Sequence, residues 1–363
     1  MKTEIAWTDF SWNPVRGCSR VSEGCRNCYA ERMAARFAKP GEPFHGFAKV
    51  TAPRDGLDRV GGRRNGWTGR VELIPSKLDE PLRWRKPRRV FVNSMSDLFH
   101  EALRDEHVAH VFGVMAAAPQ HTFQVLTKRP ERMRRWFEWI EQGFQGAGIG
   151  GTRLAPAGPS LRANRMPTGE WPALPWPLPN VWLGVSCEDQ ATADERIPLL
   201  LQTPAAARFI SAEPLLGPVD FQPLWSLSRI GHCEGCGGWV AADPVLGNGH
   251  DNGKAAACGP ITEWRDGIDW VIVGGESGPG ARPCDVAWVR SVVRQCREAG
   301  VPVFVKQLGA RPYDSLCAWK MLDRRREPSP DEAARLGAMK FKHPKGGDPD
   351  EWPEDLRVRE FPR

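Results

Sequence analysis

Three cysteines, Cys18, Cys25 and Cys28, fall within the stretch GCSRVSEGCRNCY at residues 17–29, spaced C-x6-C-x2-C. Thiols gathered this closely in a cytosolic chain point to metal rather than to disulfides. A structural zinc takes four ligands; the local sequence offers three, and His45, the nearest histidine, lies beyond the next helical segment. A cubane [4Fe–4S] cluster gives a reason for three, because three thiolates occupy three irons and leave the fourth open to a substrate or cofactor. Tyr29, one of two tyrosines in the chain, directly follows the last cysteine and suits a cover over a cluster or a bound adenine, with simple packing as the alternative.

A second group lies downstream. Cys233 and Cys236 form a C-x2-C knuckle, Cys258 follows 22 residues later, and His250 stands between them. A Cys3His zinc site is the leading assignment, with His232 or a carboxylate as the other candidate for fourth ligand, and a second iron–sulfur cluster as the competing reading. Zinc here would be structural, standing in for a core that a small insertion cannot build. Cys187, Cys284, Cys296 and Cys317 stand alone. Cys296 sits on the apolar stripe of a helix, where core packing is expected.

The elements that must position these groups follow from hydrophobic patterning. RVFVNS (89–94), TFQVLTKR (122–129), VWLGVSCED (181–189), RFISAEP (208–214), WVIVGGES (270–277) and PVFVKQ (302–307) are short apolar runs that end in polar residues, with TEIAW (3–7) as a candidate first member. Such runs suit strands buried on both faces of a parallel sheet. Between them, Val108, Val111, Phe112 and Met115 recur at helical spacing. So do Met133, Trp136, Phe137 and Ile140 behind Pro130, and Val289, Val292, Val293 and Cys296 before Gly300. After the cysteine loop, Ala30, Met33, Ala34 and Phe37 predict a buried helix face with Glu31, Arg32 and Arg36 turned away. The alternation predicts an α/β fold, a partial (β/α) barrel of six to seven mainly parallel strands with a small Cys-rich insertion. The barrel is expected over 1–320, interrupted by a Pro/Gly-rich loop at 143–180 and the insertion at 231–260, with a charged extension at 321–363 packed on the barrel.

In a barrel, chemistry sits at the strand ends. The candidates there are Asn93, Ser94, Ser96 and Asp97 for an amine or ribose, and Lys128 and Arg129 for a carboxylate or phosphate. Ser186 and Glu188 suit ribose hydroxyls, and Gly274, Gly275, Glu276, Glu213 and Lys306 complete the cavity. The alternative for each is a helix cap or a satisfied ion pair.

The chain of 363 residues carries a net charge of +6, and its basic runs RVGGRR (59–64), RWRKPRRV (83–90) and TKRPERMRRW (127–136) suit either solvated faces or a polyanion partner. No apolar run reaches membrane-spanning length, and the start MKTEIAWTDFSW lacks a long apolar stretch. The expectation is a soluble, cytoplasmic protein with no membrane partner.

The cysteine loop, EIAWTDFSWNP, NSMSDLFHE, LTKRPERM, VSCEDQ, SAEPLLGP, VIVGGESG and DPDEWPEDLRVREFP together resemble phage-associated three-cysteine proteins placed near radical S-adenosylmethionine (SAM) enzymes. Spore photoproduct lyase, a radical DNA-repair enzyme, is a more distant relative in kind. The resemblance implies a partial α/β barrel with a [4Fe–4S] cluster on Cys18, Cys25 and Cys28, and SAM as cofactor. Two departures stand out. The usual radical SAM spacing is C-x3-C-x2-C with an aromatic inside the last gap, whereas here the first gap is longer and Tyr29 follows the last cysteine. Gly274–Glu276 resembles the SAM-amine motif, but after the sixth strand rather than the second.

Three functions fit. The first is a radical SAM enzyme acting on a nucleic acid or nucleotide, supplied by an electron donor to the cluster. The second is a non-catalytic iron–sulfur and zinc protein that binds nucleic acid, and the third a radical enzyme for a small metabolite.

Overall fold

Apolar runs ending in polar residues become the strands of a single parallel sheet. The computed structural model describes residues 3–51, 64–146, 176–223, 229–233, 239–243, 247–248, 261–322, 326 and 328–362, with backbone alone for 50–51, 64–65, 142–146 and those between 229 and 266. The seven strands are β1 (Phe10–Trp12), β2 (Arg89–Val92), β3 (Thr122–Thr127), β4 (Val181–Ser186), β5 (Ala207–Ala212), β6 (Trp270–Gly274) and β7 (Val303–Gln307). Their order in the sheet is their order in the chain, with β1 and β7 at opposite ends, which is the strand order of a partial α/β barrel. Parallel registers include Phe10 opposite Val90, Val90 opposite Phe123, Val271 opposite Ile210 and Val271 opposite Val303. Helices α1 (Tyr29–Arg36), α2 (Asp105–Ala116), α3 (Pro130–Gly146), α4 (Gln190–Leu201) and α5 (Val286–Ala299) alternate with the strands. Parallel neighbours need such crossovers.

The chain divides into two compact units, Met1–Gly184 with Pro204–Ala206, and Val185–Thr203 with Ala207–Arg363. In the first unit, Val108, Val111, Phe112 and Met115 of α2 and Met133, Trp136, Phe137 and Ile140 of α3 are all buried. Phe112 stacks on Trp136 at 4.4 Å and meets Phe137 edge-on at 5.7 Å. Each such side chain removed from water stabilises by about 1.5–3 kcal/mol, and truncating Trp136 to Ala would cost about 3–5 kcal/mol.

In the second unit, Val289, Val292, Val293 and Cys296 bury one face of α5. Its Asp285 cap accepts from Ala287 N at 3.0 Å, and Gly300, at φ +70°, closes it in the left-handed conformation. Beyond helices α6 (Ser315–Met321) and α7 (Pro330–Leu336), the C-terminal segment lies antiparallel to β7. Val305 N donates to Val358 O at 2.8 Å and Glu360 N to Val303 O at 3.0 Å. That pairing covers a sheet edge that would otherwise invite another strand.

Two expectations change. The first strand is Phe10–Trp12, not Thr3–Trp7; Trp7 is buried against Phe91 from a turn instead. The helix α3 runs to Gly146, past the expected start of the Pro/Gly-rich loop at 143, and residues 147–175 lie outside the described residues. In the Cys-rich insertion, backbone segments Arg229–Cys233, Trp239–Asp243, Gly247–Asn248 and Ile261–Asp266 form an antiparallel sheet. Cys236, His250 and Cys258 lie outside the described residues, and Cys233 and His232 are described by backbone alone. Among the described residues, no helix is long and apolar enough to cross a membrane.

Candidate metal and cofactor site

The chain leaves β1 through Asn13 and Pro14, and Val15–Arg16 pairs briefly with Glu72–Leu73. Gly17 follows at φ +88°, where an added Cβ would lie 1.9 Å from Arg70 O, so only glycine fits this approach. Gly17 bridges to Ser96 in the loop after β2, and Ser96 Oγ donates to Val15 O at 3.1 Å. Cys18 comes next, a short 3-10 turn at Glu23–Cys25 carries Cys25, and Cys28 sits at the N-cap of α1.

Two clasps hold this loop, and both grip residues directly after Cys18. Ser19 accepts from Arg129 Nη2 on its backbone oxygen at 3.0 Å and on its hydroxyl at 2.8 Å, and the hydroxyl also meets His100 Nε2 at 2.8 Å. Arg20 donates to Glu31 Oε2 through Nε at 3.0 Å and Nη2 at 2.6 Å, while Trp67 N donates to Glu31 Oε1 at 2.8 Å. Glu31 is therefore 3% exposed, and the buried face of α1 is Ala30, Glu31, Ala34 and Ala35. This corrects the expected face, because a carboxylate supplied with three donors can turn inward. Met33 and Phe37 turn outward.

The thiols sense one another. Burial pushes the Cys18 thiol up to about 12, helped by Asp97 and by Cys28 and Cys25, while Arg129 pulls the other way. Burial also raises Cys28, against the backbone amides of Glu31 and Ala30 at the start of α1, with Cys25 adding to the rise. Among the described residues, no group of three or more His, Cys, Asp or Glu side chains is gathered for a single metal ion. A tetrahedral zinc would need its sulfurs within about 3.8 Å of one another. A cubane puts each thiolate on a different iron and tolerates a wider spread. Two desolvated sulfurs, Cys18 and Cys28, both in charge range of the Cys25 sulfur and with helix amides aimed at Cys28, fit the cluster in the chemistry of their donors.

The loop after β2 is wired into this arrangement. Asn93 takes φ +60°, unusual outside glycine but tolerated by asparagine, and its N–H donates to Trp12 O at 2.8 Å. Its Oδ1 accepts from Val15 N at 3.4 Å, leaving Nδ2 buried with no hydrogen-bond partner. The remaining capacity is a donor, suited to a carboxylate or hydroxyl rather than to an amine. Tyr29 OH donates to Ser94 O at 2.6 Å, so the tyrosine spans from α1 to this loop. Asp97 is buried and accepts from Thr127 Oγ1 at 2.8 Å, Phe99 N at 3.0 Å and Lys128 N at 3.1 Å. Arg129, also buried, reaches Glu101 Oε2 at 2.6 Å, lies 3.9 Å from Asp97, and keeps a buried Nε without a hydrogen-bond partner. The structure thus brings Asp97 and Arg129 to Cys18.

In the second unit the remaining candidates separate into distinct pairs. Glu188 and Arg196 form a fully buried ion pair at 3.1 Å, and Arg196 also takes Ser186 O at 2.8 Å. Glu276 accepts from Arg282 N, Nε and Nη2 at 2.8, 3.0 and 2.7 Å, a grip that closes its loop. Lys306 Nζ sits 2.7 and 2.8 Å from the two oxygens of Glu213, which also accepts from Gln307 Nε2 at 3.0 Å. Gly274 and Gly275 lie against the end of β7: a Cβ on Gly275 would stand 2.4 Å from Leu308 O, and one on Gly274 3.1 Å from Gln307 O. Close strand approach accounts for both glycines.

Ser19, Arg20, Glu31, His100 and Glu101 carry much of the site's geometry and were not among the sequence candidates. The one available signal was their nearness to the cysteines or to NSMSDLFHE. In the basic runs, Arg83, Arg132 and Arg134 pair with Asp79, Asp105 and Glu131, and Arg88 stacks over Phe10 at 3.8 Å. Arg85 and Lys86 are exposed, and residues 59–63 lie outside the described residues.

The chain belongs to the family described as "Protein of unknown function (DUF5131)", whose model matches residues 2–337. No curated protein and no solved structure matches it.

Proposed function

We propose that this family member is a radical-SAM-like enzyme that holds a [4Fe–4S] cluster on Cys18, Cys25 and Cys28 and acts on a nucleic acid or nucleotide, in repair or modification. The observation that carries the reading is the loop itself: three thiols in mutual charge range, fixed after the first strand by the Ser19–Arg129 and Arg20–Glu31 clasps. The parallel strand order agrees with radical-SAM-like folds, and the motifs resemble the phage-associated three-cysteine proteins of that neighbourhood.

Cys18, Cys25 and Cys28 would hold the cluster, which when bound and reduced would supply the electron for reductive cleavage of SAM and so the radical chemistry. The chain's own residues do the rest. Arg129 and Glu31 fix the loop that carries the three thiols. Asn93 Nδ2 offers a buried donor to a SAM carboxylate or ribose hydroxyl, and Lys128 stands at the end of β3 as a cation for a carboxylate or phosphate. In the second unit, an anionic group that displaced Glu213 would meet Lys306 Nζ and the Gln307 amide together. Burial excludes water around Asp97 and Arg129, which strengthens their electrostatic influence.

One observation favours the second reading, a non-catalytic nucleic-acid-binding protein: Glu188 and Glu276 are spent on Arg196 and Arg282. The test separates the two. Anaerobically purified, reduced protein is incubated with SAM and assayed for 5′-deoxyadenosine. Formation supports the enzyme; a cluster-loaded chain that yields none supports the scaffold. Loss of oligonucleotide binding with salt then separates a nucleic-acid substrate from a small metabolite.

A further inference from the structure

The basic run RWRKPRRV carries more charge than its own ion pairs consume. From Lys77 to Arg89, with Asp9 beside them, six cations meet three carboxylates. Each carboxylate is already held: Glu80 by Lys77 at 2.7 Å, Asp79 by Arg83 at 2.9 Å and Asp9 by Arg89 at 3.5 Å. Arg85, Lys86 and Arg88 are left with no carboxylate partner among the described residues. Arg85 and Lys86 are exposed. The Arg88 guanidinium stands over the Phe10 ring at 3.8 Å and 5.3 Å from that of Trp84. Aromatic faces hold a guanidinium in place without cancelling its charge. Gln120 Nε2 donates to Trp84 O at 3.3 Å and ties this platform to the turn before β3. Phe10 opens β1 and Arg89 opens β2, so the three cations lie at the start of the strands, whereas the cysteine loop follows their ends. At about 3.3 Å per residue, Arg88 stands roughly 17 Å along β2 from Asn93.

We infer that Arg85, Lys86 and Arg88 form an exosite for the phosphodiester backbone of a nucleic acid, at the opposite end of the first strands from the cysteine loop. The inference rests on the nucleic-acid reading of the function and is independent of the cluster. Uncommitted cations are what phosphates require. A membrane surface asks in addition for an apolar face to insert, and a protein partner for an apolar interface centre. Among the described residues, no exposed large apolar side chain belongs to residues 77–89 or to β1. Contacts to phosphates carry no sequence information, so the exosite adds affinity equally for every sequence. A nucleic acid that reached both ends of β2 would span roughly 17 Å, about five phosphates of one duplex strand.

The experiment uses the full-length chain, purified anaerobically, with fluorescent DNA and RNA duplexes and single strands of two unrelated sequences. Phosphatidylserine vesicles serve as the competing anionic surface. Binding is titrated between about 50 and 200 mM salt for the wild type, for Arg85→Ala combined with Lys86→Ala, and for Arg88→Gln. The expected result is that the double variant binds both sequences roughly tenfold more weakly, with the slope of log K against log salt shallower by about 2. Arg88→Gln should make the slope shallower by about 1. The double variant should keep the wild-type Tm, because neither side chain is committed within the fold. A wild-type salt slope in both variants would overturn the inference, as would weakened vesicle binding with oligonucleotide binding intact. The wild type distinguishes the two failures. A chain that binds none of the nucleic acids at low salt defeats the nucleic-acid reading itself, whereas a chain that binds them with its variants unaffected defeats only the exosite.

Discussion

Arg129, at the end of the third strand, donates from one guanidinium nitrogen to both the backbone oxygen and the hydroxyl of Ser19, the residue after Cys18. It also lies between two carboxylates, Glu101 at 2.6 Å and Asp97 at 3.9 Å, with Asp97 buried. Removing it breaks the pair with Glu101, takes the guanidinium from beside buried Asp97 and unclasps the cysteine loop. Arg129→Met is therefore expected to cost about 3 kcal/mol, the lower end of the scale for removing one partner of a buried ion pair. Cluster content should fall in parallel, and Arg129→Lys should restore part of the stability but not the two-point grip on Ser19. Thermal unfolding and iron analysis read the two effects separately.

Gly275→Ala tests the role of the Gly-Gly-Glu stretch. An added Cβ meets Leu308 O at 2.4 Å, and overpacking of this kind costs about 1–3 kcal/mol. The expected outcome is a lower Tm, with the affinity for SAM altered no more than the fall in folded fraction explains. Glu276→Gln should likewise weaken the Arg282 grip before it touches any cofactor. A large loss of SAM affinity in either variant at full stability would return these residues to the binding site.

How much of this was legible beforehand depended on what each residue's neighbours already disclosed. Six strands were readable because burial on both faces writes a continuous apolar run. Phe10–Trp12 was not, since three residues give no period, and its partner register with Val90–Val92 is long-range. The cysteine loop was visible by spacing, but its clasps join residues up to 110 positions apart. Glu31 looked like a solvent-facing residue because nothing local announced that Arg20 and Trp67 N would meet it. Glu188 and Glu276 looked available for chemistry because their arginines lie eight and six residues on, a spacing that local patterns do not flag.

His100 carries a pH signature. Its Nδ1 accepts from Ala102 N at 3.1 Å, which assigns the neutral ring with its proton on Nε2 toward Ser19. Burial, then the charge of Arg129, hold it below its ordinary 6.5, and Glu101 and Asp97 only partly oppose them. The unfolded chain therefore takes up a proton that the folded chain refuses as pH falls below about 6.5. Stability should rise with pH across that window in the wild type. His100→Gln should flatten the slope, by an amount read from urea midpoints between pH 5 and pH 7.

The second cysteine group predicts a separable metal. Cys233→Ala is expected to release zinc and lower stability while leaving iron content at the wild-type level, and Cys25→Ala should do the reverse. Loss of the same metal in both variants would contradict two independent sites. Element analysis of each purified variant decides it.

The most direct measurement is the iron and acid-labile sulfide content of the anaerobically purified chain, beside that of Cys18→Ala, Cys25→Ala and Cys28→Ala. The account predicts about four of each per wild-type chain, the content of one cubane, and loss from every variant with the fold retained. A wild-type chain without sulfide, or variants that keep a full complement, would contradict it.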